Sequence, residues 1–490
     1  MTVEFNSPGD MESQVQDATN VKRNRPTAGQ YITTRLTTLK PPMNKTPNPL
    51  KLLFLLNKQQ WLFFLVGFAG WTWDAFDFFT VPLTVTEIAQ SYNKTNADIT
   101  WGITLVLMFR SIGAAIFGVA ADRYERKWPF IINNVLFVVF EMATGFCQTY
   151  VQFLVVRALY GVVMGGLYGN AAATALEDCP PAARGLFSVI LQQGYAFGYL
   201  LATAFSRALV DTTPHGWRSL YWFGAGPPVL IIILRLCLPE TETFVERKRI
   251  REQQPSAAQT FIKEGEIAVK QHWILLIYLV LLMAGLNFLA HGTQDLYPTL
   301  LKNQYNFSTT TVTIVQVISN VGAIIGAALL YPYTFIHTKA IIAAAFFQQF
   351  AIQGACGVVP IHLMELSPAA LRTFVVSTSY QLGNLASSAS STIEATIGQR
   401  FPLGEPTRFN SNMRHQYNYG KVICTFAACA YAFLFIIVFI GPEKLGIDLS
   451  LQHNANITEA IQGNLQEFNG AGNNTELDKQ HGEHIEFSNT

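Results

Sequence analysis

Eleven stretches of the chain are apolar over the roughly 20 residues that an α-helix needs to cross the hydrocarbon core of a bilayer. A bilayer offers no hydrogen-bond partners to the backbone, so a crossing segment must satisfy its own backbone groups, as a helix does. The chain is therefore predicted to be an all-α polytopic membrane protein. The predicted spans are 61–86, 101–121, 129–148, 151–175, 185–209, 217–238, 273–296, 311–335, 339–360, 373–397 and 420–441.

The composition agrees with a chain that mostly faces lipid. Only 13% of its 490 residues are charged and 50% are apolar, whereas a soluble chain carries about 25% charged residues. The 33 Lys and Arg nearly cancel the 32 Asp and Glu, which removes the electrostatic case for a nucleic-acid partner. The six cysteines lack C-x-x-C spacing, so neither a disulfide framework nor a metal site is indicated, and no cofactor is predicted.

Polar segments divide the chain into five parts. Residues 1–58 and 442–490 are polar and without apolar periodicity, and they are predicted to be disordered tails. Between them, the polar loop 239–272 separates six spans in 59–238 from five spans in 273–441.

The positions of Lys and Arg predict the orientation. They concentrate in the N-terminal tail, in the turn at 122–128 and in the loop 239–272, whereas the intervening loops are poor in them. Positive charge marks the cytoplasmic side, so the N-terminus and the central loop are predicted to be cytoplasmic. The N-terminus carries no signal peptide, and the first span is expected to serve as the targeting signal.

An internal repeat predicts the architecture. The pattern Lys-Gln-x-Trp opens the first span at 58–61 and the seventh at 270–273, an offset of 212 residues. The pattern Glu-x6-Arg-x8-Gln occurs at 177–193 and at 365–381, an offset of 188 residues. Two parallel repeats of six helices are the organisation of the major facilitator fold.

The two offsets differ by 24 residues, which is about the length of one membrane helix. The charged turn at 122–127 should have a counterpart shortly after Gly326, and the sequence has none. We therefore expect that about one helix of sequence is missing from the second half, around 327–338. A mis-spliced or mis-predicted gene is favoured over a real deletion.

The seventh span carries polar residues at fixed spacing, Asn287-x3-His291-x-Thr293-Gln294-Asp295-x3-Thr299. This pattern resembles the signature of the fungal Jen-type carboxylate permeases, which are proton symporters for lactate, pyruvate and related acids within the major facilitator superfamily. Only Ala290 departs, where the family has a hydroxyl. The resemblance covers about 59–441 and fails around 327–338. It implies proton-coupled symport of short-chain monocarboxylates across the plasma membrane by alternating access.

Asn287, His291 and Asp295 recur every four residues and form a polar stripe on one helix face. An ionisable stripe facing lipid is costly, so it is predicted to face the bundle interior or a wet cavity. Hydrogen bonding to neighbouring helices is the alternative reading. Either His291 or Asp295 could carry the coupled proton. The resemblance assigns substrate and proton handling to Asn287, His291, Gln294 and Asp295, with Thr293 and Thr299 as supporting hydrogen-bonders.

Arg110 lies midway along the second span with no charged neighbour in sequence. Its planar guanidinium suits a substrate carboxylate, a role that the family's similarly placed arginine favours. The alternative is a buried ion pair with Asp74, Asp77 or Glu141. Asp74 and Asp77 are three residues apart on the first span and share a face, for either cavity function or pairing.

Five further positions are candidates for the central cavity. Gln193 and Phe197 lie on the fifth predicted span, and Gln381 and Asn384 on the tenth, which correspond to helices five and eleven of the twelve-helix fold that line its cavity. A neutral amide can donate to a carboxylate, and core packing is the alternative for Phe197. Arg157 resembles the fourth-helix arginine of facilitator proton symporters, and the glycines that follow it are predicted to allow close helix packing. Glu141 and Glu394 have no assigned partner, and a structural role is favoured for both.

A charged set is predicted at the cytoplasmic end. Residues 122–127 resemble the superfamily's inner-loop motif, which latches the outward-open state by charge pairs, although Glu125 replaces the usual glycine of the tight turn. Orientation by positive charge alone is the alternative, but it does not require the acids. The predicted gating residues are Asp122, Arg123, Arg126, Lys127, Glu177, Arg184, Glu365 and Arg372.

The partners that follow are a small carboxylate, a proton and the lipid bilayer, with a monomer as the default state. The alternatives are a dicarboxylate-preferring symporter, a non-transporting carboxylate sensor on the same fold, and an inactive truncated chain. An enzyme is not expected, because the sequence shows no nucleophile with a base and no metal-ligand set. The absence of a phosphate-binding glycine loop with Lys-Ser/Thr argues against ATP as the energy source.

Overall fold

The structure is a computed structural model that describes residues 49–242, 244–245, 249, 257–303, 305, 307–326, 340–367, 371–398, 400–401 and 419–441. Within these ranges, all regular secondary structure is helical. The predicted disorder before residue 49 and after residue 441, and the predicted gap at 327–338, lie outside the described residues.

The described helices follow the predicted spans, some of them as broken pairs. They are α1 (Pro49–Leu53), α2 (Lys58–Tyr92), α3 (Asn96–Arg123), α4 (Lys127–Phe146), α5 (Tyr150–Gly165), α6 (Leu167–Leu176), α7 (Pro181–Leu209), α8 (Trp217–Gly224), α9 (Pro227–Cys237), α10 (Ala257–Gln294), α11 (Tyr297–Asn303), α12 (Thr309–Gly326), α13 (Ala340–Cys356), α14 (Val359–Leu366), α15 (Arg372–Ser387), α16 (Ser390–Gly398) and α17 (Tyr419–Ile440).

The short helix α1 lies inside the segment 1–58 that was predicted to be a disordered tail. Its residues Leu52 and Leu53 are partly buried against the hydrophobic core. Apolar burial of this kind orders a segment that its polar surroundings would otherwise leave free. The packed part of the chain therefore begins before residue 59.

Seven helices or helix pairs in the described part of the chain are long and apolar enough to cross a membrane. The four remaining predicted spans coincide with α7, α12, α13–α14 and α15–α16, which are shorter or more polar. Two of these, α7 and α15, bury amides such as Gln192, Gln381 and Asn384 in the interior. Their polarity follows from a position inside the bundle, and the chain is a multi-pass membrane protein.

Glycines allow α3 and α5 to approach closely. A Cβ atom at Gly161 would collide with the backbone of Val106, and one at Gly165 would collide with the backbone of Arg110. Only residues without a side chain fit such crossings. This close packing fixes the position of Arg110, halfway along α3, relative to the rest of the N-terminal half.

The two halves meet along α15, which packs against α3 of the first half and α10 of the second. The rings of Tyr168 on α6 and Tyr380 on α15 stack across this boundary with centroids 4.0 Å apart. At a second point along this boundary, the Thr104 hydroxyl on α3 donates to the carbonyl of Ser388 at 3.1 Å. The interface therefore joins the halves over much of the bundle's length.

We call the end of the bundle at Arg126 the latch end and the end at Glu87 and Lys302 the far end. Helix α7 runs from the latch end towards the far end, because Glu177 just before it pairs with Arg126. Helix α12 starts at the far end, where Thr309 and Asp211 line one surface cavity. It therefore runs towards the latch end.

Helix α13 runs in the same direction as α12. Gln349 near its middle bonds Gln294 near the far end of α10, and the carbonyl of Gly357 just after α13 accepts from Ser188, near the start of α7. The two helices pack along each other, with Gly322 against Phe346. Two successive helices that run in the same direction are the arrangement expected of a second half that lacks one membrane-crossing helix between them.

Candidate functional site

The polar stripe of α10 is buried between helices. Asn287, His291 and Asp295 each expose 4% or less of their surface. The Asn287 amide donates to the carbonyl of Tyr380 at 3.2 Å, which ties α10 to α15. The predicted inward orientation is thus what the structure shows, although these contacts alone would also satisfy the helix-bonding alternative.

His291 lies at the centre of a hydrogen-bonded chain. Its Nδ1 atom is 3.2 Å from Oδ2 of Asp295, and its Nε2 atom is 3.2 Å from Oδ1 of Asn384. The Asn384 amide in turn donates to Oε1 of Gln381 at 2.5 Å. Gln381 is completely buried, so its predicted place in the interior agrees with the structure.

The other predicted residues of this region have different surroundings. The Thr293 hydroxyl donates to the carbonyl of Leu289 in its own helix at 2.7 Å. The Gln294 amide donates to Gln349 of α13. Thr299 is buried on α11. The Thr293 and Gln294 side chains therefore stabilise the helices around the stripe.

Arg110 forms the buried ion pair that the sequence left as an alternative. Its Nη2 atom is 3.2 Å from Oδ2 of Asp74, with both side chains at most 4% exposed. The guanidinium lies 5.4 Å from the ring centroid of Phe78, and the Phe78 ring is 5.3 Å from the ring of His291. Phe78 thus contacts both the arginine of the first half and the imidazole of the second.

Asp77 belongs to a second group, inside the first half. Its Oδ2 accepts from the Tyr160 hydroxyl at 3.2 Å, and it also interacts with Glu141. Arg157 lies 3.7 Å from Glu141 and 4.6 Å from the ring centroid of Tyr160. Asp74 and Asp77 therefore serve different partners although they share a helix face.

A narrow cavity of about 10 Å³, roughly the space of one water molecule, lies next to the stripe. Asn287 is the one predicted site residue among its lining residues. The lining comprises Gln192, Tyr195, Met283, Asn287, Ala290, Gln353, Cys356, Val359 and Tyr380.

Sequence reasoning missed the two glutamines of this cavity. Gln192 and Gln353 are buried, and the side-chain amide oxygen of each has no hydrogen-bond partner among the described residues. The sequence pattern instead selected Gln193, the next residue, which is not among the residues that line this cavity. Phe197 lies elsewhere: it is 40% exposed and stacks against Phe68.

Charged residues join the halves at the latch end. Arg126 binds Glu177 with two bonds of 2.8 and 3.0 Å and Asp122 with one of 2.9 Å, and it also contacts the Thr373 hydroxyl. The Asp122 carboxylate accepts the backbone N–H groups of Thr373 and Phe374 at the start of α15. We call these five residues the latch. Burial alone would lower the pKa of Arg126, but Glu177 and Asp122 raise it above its usual value.

The remaining predicted gating residues lie around the latch. Lys127 donates to the carbonyls of Leu236 and Leu238 at the end of α9, and Arg184 donates to the carbonyl of Cys179 at 3.0 Å. Arg123 lies over the Tyr124 ring, whereas Glu365 and Arg372 are buried. No residue of this turn has a positive φ angle, so Glu125 fits where the family has glycine.

Known proteins match much of this chain. The sequence profile of the family described as "Sugar (and other) transporter" matches residues 58–335. The chain is 38% identical to a "Carboxylic acid transporter protein homolog" of Saccharomyces cerevisiae, over 82% of this chain and 71% of that relative. It is 27% identical to a "Probable 4-methylmuconolactone transporter" of Cupriavidus pinatubonensis, over 41% of this chain and 48% of that relative.

Solved structures show the same architecture. The proton:xylose symporter XylE, of the major facilitator superfamily, superposes with a TM-score of 0.61 at 15% identity, covering 81% of this chain and 99% of that one. The human organic anion transporter MFSD10 superposes with a TM-score of 0.56 at 14% identity, covering 79% and 100%. The predicted major facilitator fold is therefore confirmed.

Proposed function

Because the chain belongs to the sugar (and other) transporter family, whose members are transporters and not enzymes, we propose that it moves short-chain monocarboxylates together with protons. Lactate and pyruvate are the proposed substrates. The proposed location is the plasma membrane, with the N-terminus and the latch end cytoplasmic and the protein monomeric. Cytoplasmic placement follows from the positive charge of that end.

The observation that carries the proposal is the buried pair of His291 and Asp295 next to a cavity between helices of both halves. Ionisable groups in a membrane interior are expensive and are rarely used for packing alone. Histidine changes its charge near physiological pH, so the pair can take up and release a proton. A cavity alone would fit a uniporter, whereas a protonatable pair beside it fits a symporter.

The substrate class rests on the cavity and the relatives together. The cavity offers amide groups of Gln192, Asn287 and Gln353, which can donate to a carboxylate or a hydroxyl. The relative from yeast carries the name of a carboxylic acid transporter homolog. A small hydroxy or keto acid matches these neutral donors and the name of that relative.

Arg110 supplies the attraction for an anion, and Asp74 competes with that anion. The guanidinium has one carboxylate partner at 3.2 Å, and its Nε atom has no partner among the described residues. A substrate carboxylate that takes the place of Asp74 would leave an unpaired buried acid, which is stable only when protonated. Substrate binding and proton binding would thereby favour each other.

The amide chain beside His291 suits two protonation states. As it stands, Nδ1 faces the Asp295 carboxyl group and Nε2 faces the amide oxygen of Asn384, so each ring nitrogen has a partner that can accept its N–H. After loss of the Nε2 proton, a half-turn of the Asn384 and Gln381 amides would let Asn384 donate to Nε2. The amides can therefore follow either charge of His291, and in each case one atom of the Gln381 amide stays without a partner among the described residues, as its nitrogen does now.

Uptake of radiolabelled lactate by cells that lack their own carboxylate transport tests the proposal. We expect uptake that is faster at pH 5 than at pH 7 and that a protonophore abolishes. Cells without the gene and a surface-labelling measurement are the controls. Equal uptake at both pH values with normal surface expression would contradict symport, and selective competition by succinate would indicate a dicarboxylate preference.

A further inference from the structure

Glu394 on α16 is a completely buried acid with no role in the site described so far. Its exposed fraction is 0%, and neither carboxyl oxygen has a hydrogen-bond partner among the described residues. An ionised carboxylate without a donor is strongly disfavoured in such surroundings, whereas a neutral carboxylic acid is tolerated. The side chain is therefore a place where a proton can reside.

Glu394 faces the polar stripe through a glycine. A Cβ atom at Gly292 would lie 3.1 Å from Oε1 of Glu394 and would collide with the ring of Phe426 on α17. Any larger residue at 292, next to His291, would push the carboxyl away from α10. The glycine thus lets the acid come close to the stripe, where Asp295 acts on it electrostatically.

The charges around Glu394 leave it without a counter-ion. From α10 it is faced by Asp295, whose partner is His291. Helix α17 presents Phe426, and α3 presents hydroxyl groups on the side of α16 nearest to it. The other charges on these two helices are engaged elsewhere, and they are Asp98 in the N-terminal cap of α3, Arg110 with Asp74, Asp122 with Arg126, Arg123 over the Tyr124 ring, and Lys421 over the Phe401 ring.

The opposite face of α16 forms part of the boundary between the halves. The Thr392 hydroxyl lies 3.1 Å from that of Thr104 and 3.4 Å from that of Thr100, both on α3. Thr392 and Glu394 are two residues apart and so point to opposite sides of the helix. One short helix therefore carries a contact between the halves on one side and a buried acid on the other.

We propose that Glu394 is a second proton-binding residue of the transport cycle, which links protonation to the contact between α16 and α3. An ionised Glu394 needs water, and water reaches it when α16 separates from its neighbours; a protonated Glu394 stays buried and lets α16 pack against α3. The proton enters as the free acid forms and leaves when the carboxylate is hydrated again. This inference rests on the proposed function.

The test is lactate binding to the purified 490-residue chain in lipid nanodiscs between pH 5 and pH 8. Each proton taken up with the substrate strengthens binding by at most about tenfold per pH unit. We expect the wild type to bind more tightly as the pH falls. The Glu394→Gln variant should bind as the wild type does at pH 5, but its affinity should fall less steeply towards pH 8, because the share of the pH dependence that one proton contributes, at most about tenfold per pH unit, is lost. Glu394→Asp, which keeps a titratable group, should retain the pH dependence.

Glu242→Gln is the matched control, because Glu242 is exposed near the latch end; its pH profile should equal that of the wild type. A Glu394→Gln profile with the full wild-type slope would overturn the inference and leave the proposed function intact. So would loss of binding at every pH in a monodisperse Glu394→Gln protein, because that result indicates a structural role. A wild type that does not bind lactate, or binds it without pH dependence, would overturn the proposed function and this inference together.

Discussion

The Asp122→Asn substitution tests whether the latch sets the balance between the states of the transporter. In the structure, the Asp122 carboxylate accepts two backbone N–H groups at the start of α15, at 2.8 and 3.3 Å. Both bonds cross from the first half to the second. They must break when the latch end opens, so the substitution destabilises the closed state selectively.

The size of the effect follows from these bonds. A hydrogen bond to a charged group contributes about 1.5–3 kcal/mol, whereas a neutral one contributes about 1 kcal/mol. Asparagine keeps one acceptor oxygen, so one charged bond is lost and the other is weakened. The interaction of the carboxylate with the α15 dipole adds about 0.3–1 kcal/mol. The total is about 3 kcal/mol, which shifts the equilibrium towards opening at this end by about 100-fold.

Spin labels at the latch end can measure this shift. Tyr124 on the first half and Trp273 on the second are 63% and 55% exposed, so cysteines there accept labels after the exposed native cysteines are replaced. We expect pulsed electron paramagnetic resonance spectroscopy to measure a longer distance between the two labels in Asp122→Asn than in the wild type. Asp211→Asn removes the same charge from an exposed pair with Arg207 and should leave the distance unchanged.

Two outcomes would refute this reasoning. An unchanged distance distribution in Asp122→Asn would show that the bonds to α15 do not hold the latch end closed. A comparable lengthening in Asp211→Asn would show that any loss of negative charge has this effect, and that the crossing bonds are not its cause.

Three further substitutions have predicted outcomes, and two of them are paired with a control variant. His291→Gln should abolish concentrative lactate uptake while surface labelling stays normal, because glutamine cannot exchange the proton; near-normal uptake would remove the imidazole from the proposal. Gln192→Ala should raise the KM for lactate by about fivefold, the value of one neutral hydrogen bond, whereas Gln193→Ala, outside the cavity, should not. Gly165→Ala should lower the melting temperature, since overpacking costs about 1–3 kcal/mol, and Gly185→Ala, with open space around it, is the control that should not.

The sequence predicts the helices and the burial of the stripe because both depend on the free-energy cost of placing individual polar groups in lipid. A polar residue facing lipid is expensive wherever the chain goes afterwards, so the spacing of Asn287, His291 and Asp295 already requires an inward face. The partner of His291 does not follow from such reasoning. Asn384 lies 93 residues further along the chain, and only the packing of α15 against α10 brings it to the imidazole.

The direction in which each side chain points is the other feature of the site that could not be predicted from the sequence. The neighbours Gln192 and Gln193 differ by one residue, or about 100° around the helix, and only the first lines the cavity. Arg110 shows the same limit, because its charge required a partner but several acids were available. Asp74 is that partner, since the glycine-mediated contact of α3 with α5 fixes where the guanidinium can reach.

The directions of the helices bear on the missing sequence. Eleven spans that alternate in direction would end on the side opposite to their start. Helix α17 instead ends at the latch end, where Gly441 packs on Tyr278 near the start of the apolar part of α10. Helix α2 starts at the same end, where the Gln60 amide donates to the carbonyl of Asp178.

Because α12 and α13 run in the same direction, the chain starts and ends on the same side although the number of spans is odd. A chain with one return crossing between them would contain twelve spans, which is what two six-helix repeats require. The sequence supplies 13 residues between Gly326 and Ala340. As an α-helix these would reach about 20 Å, too short for a hydrocarbon core of about 30 Å. The stripe lies on α10 and the latch joins α3 to α15, and none of these helices adjoins that segment, so a chain without the crossing keeps both; the cavity differs, because Gln353 and Cys356 on α13 follow it.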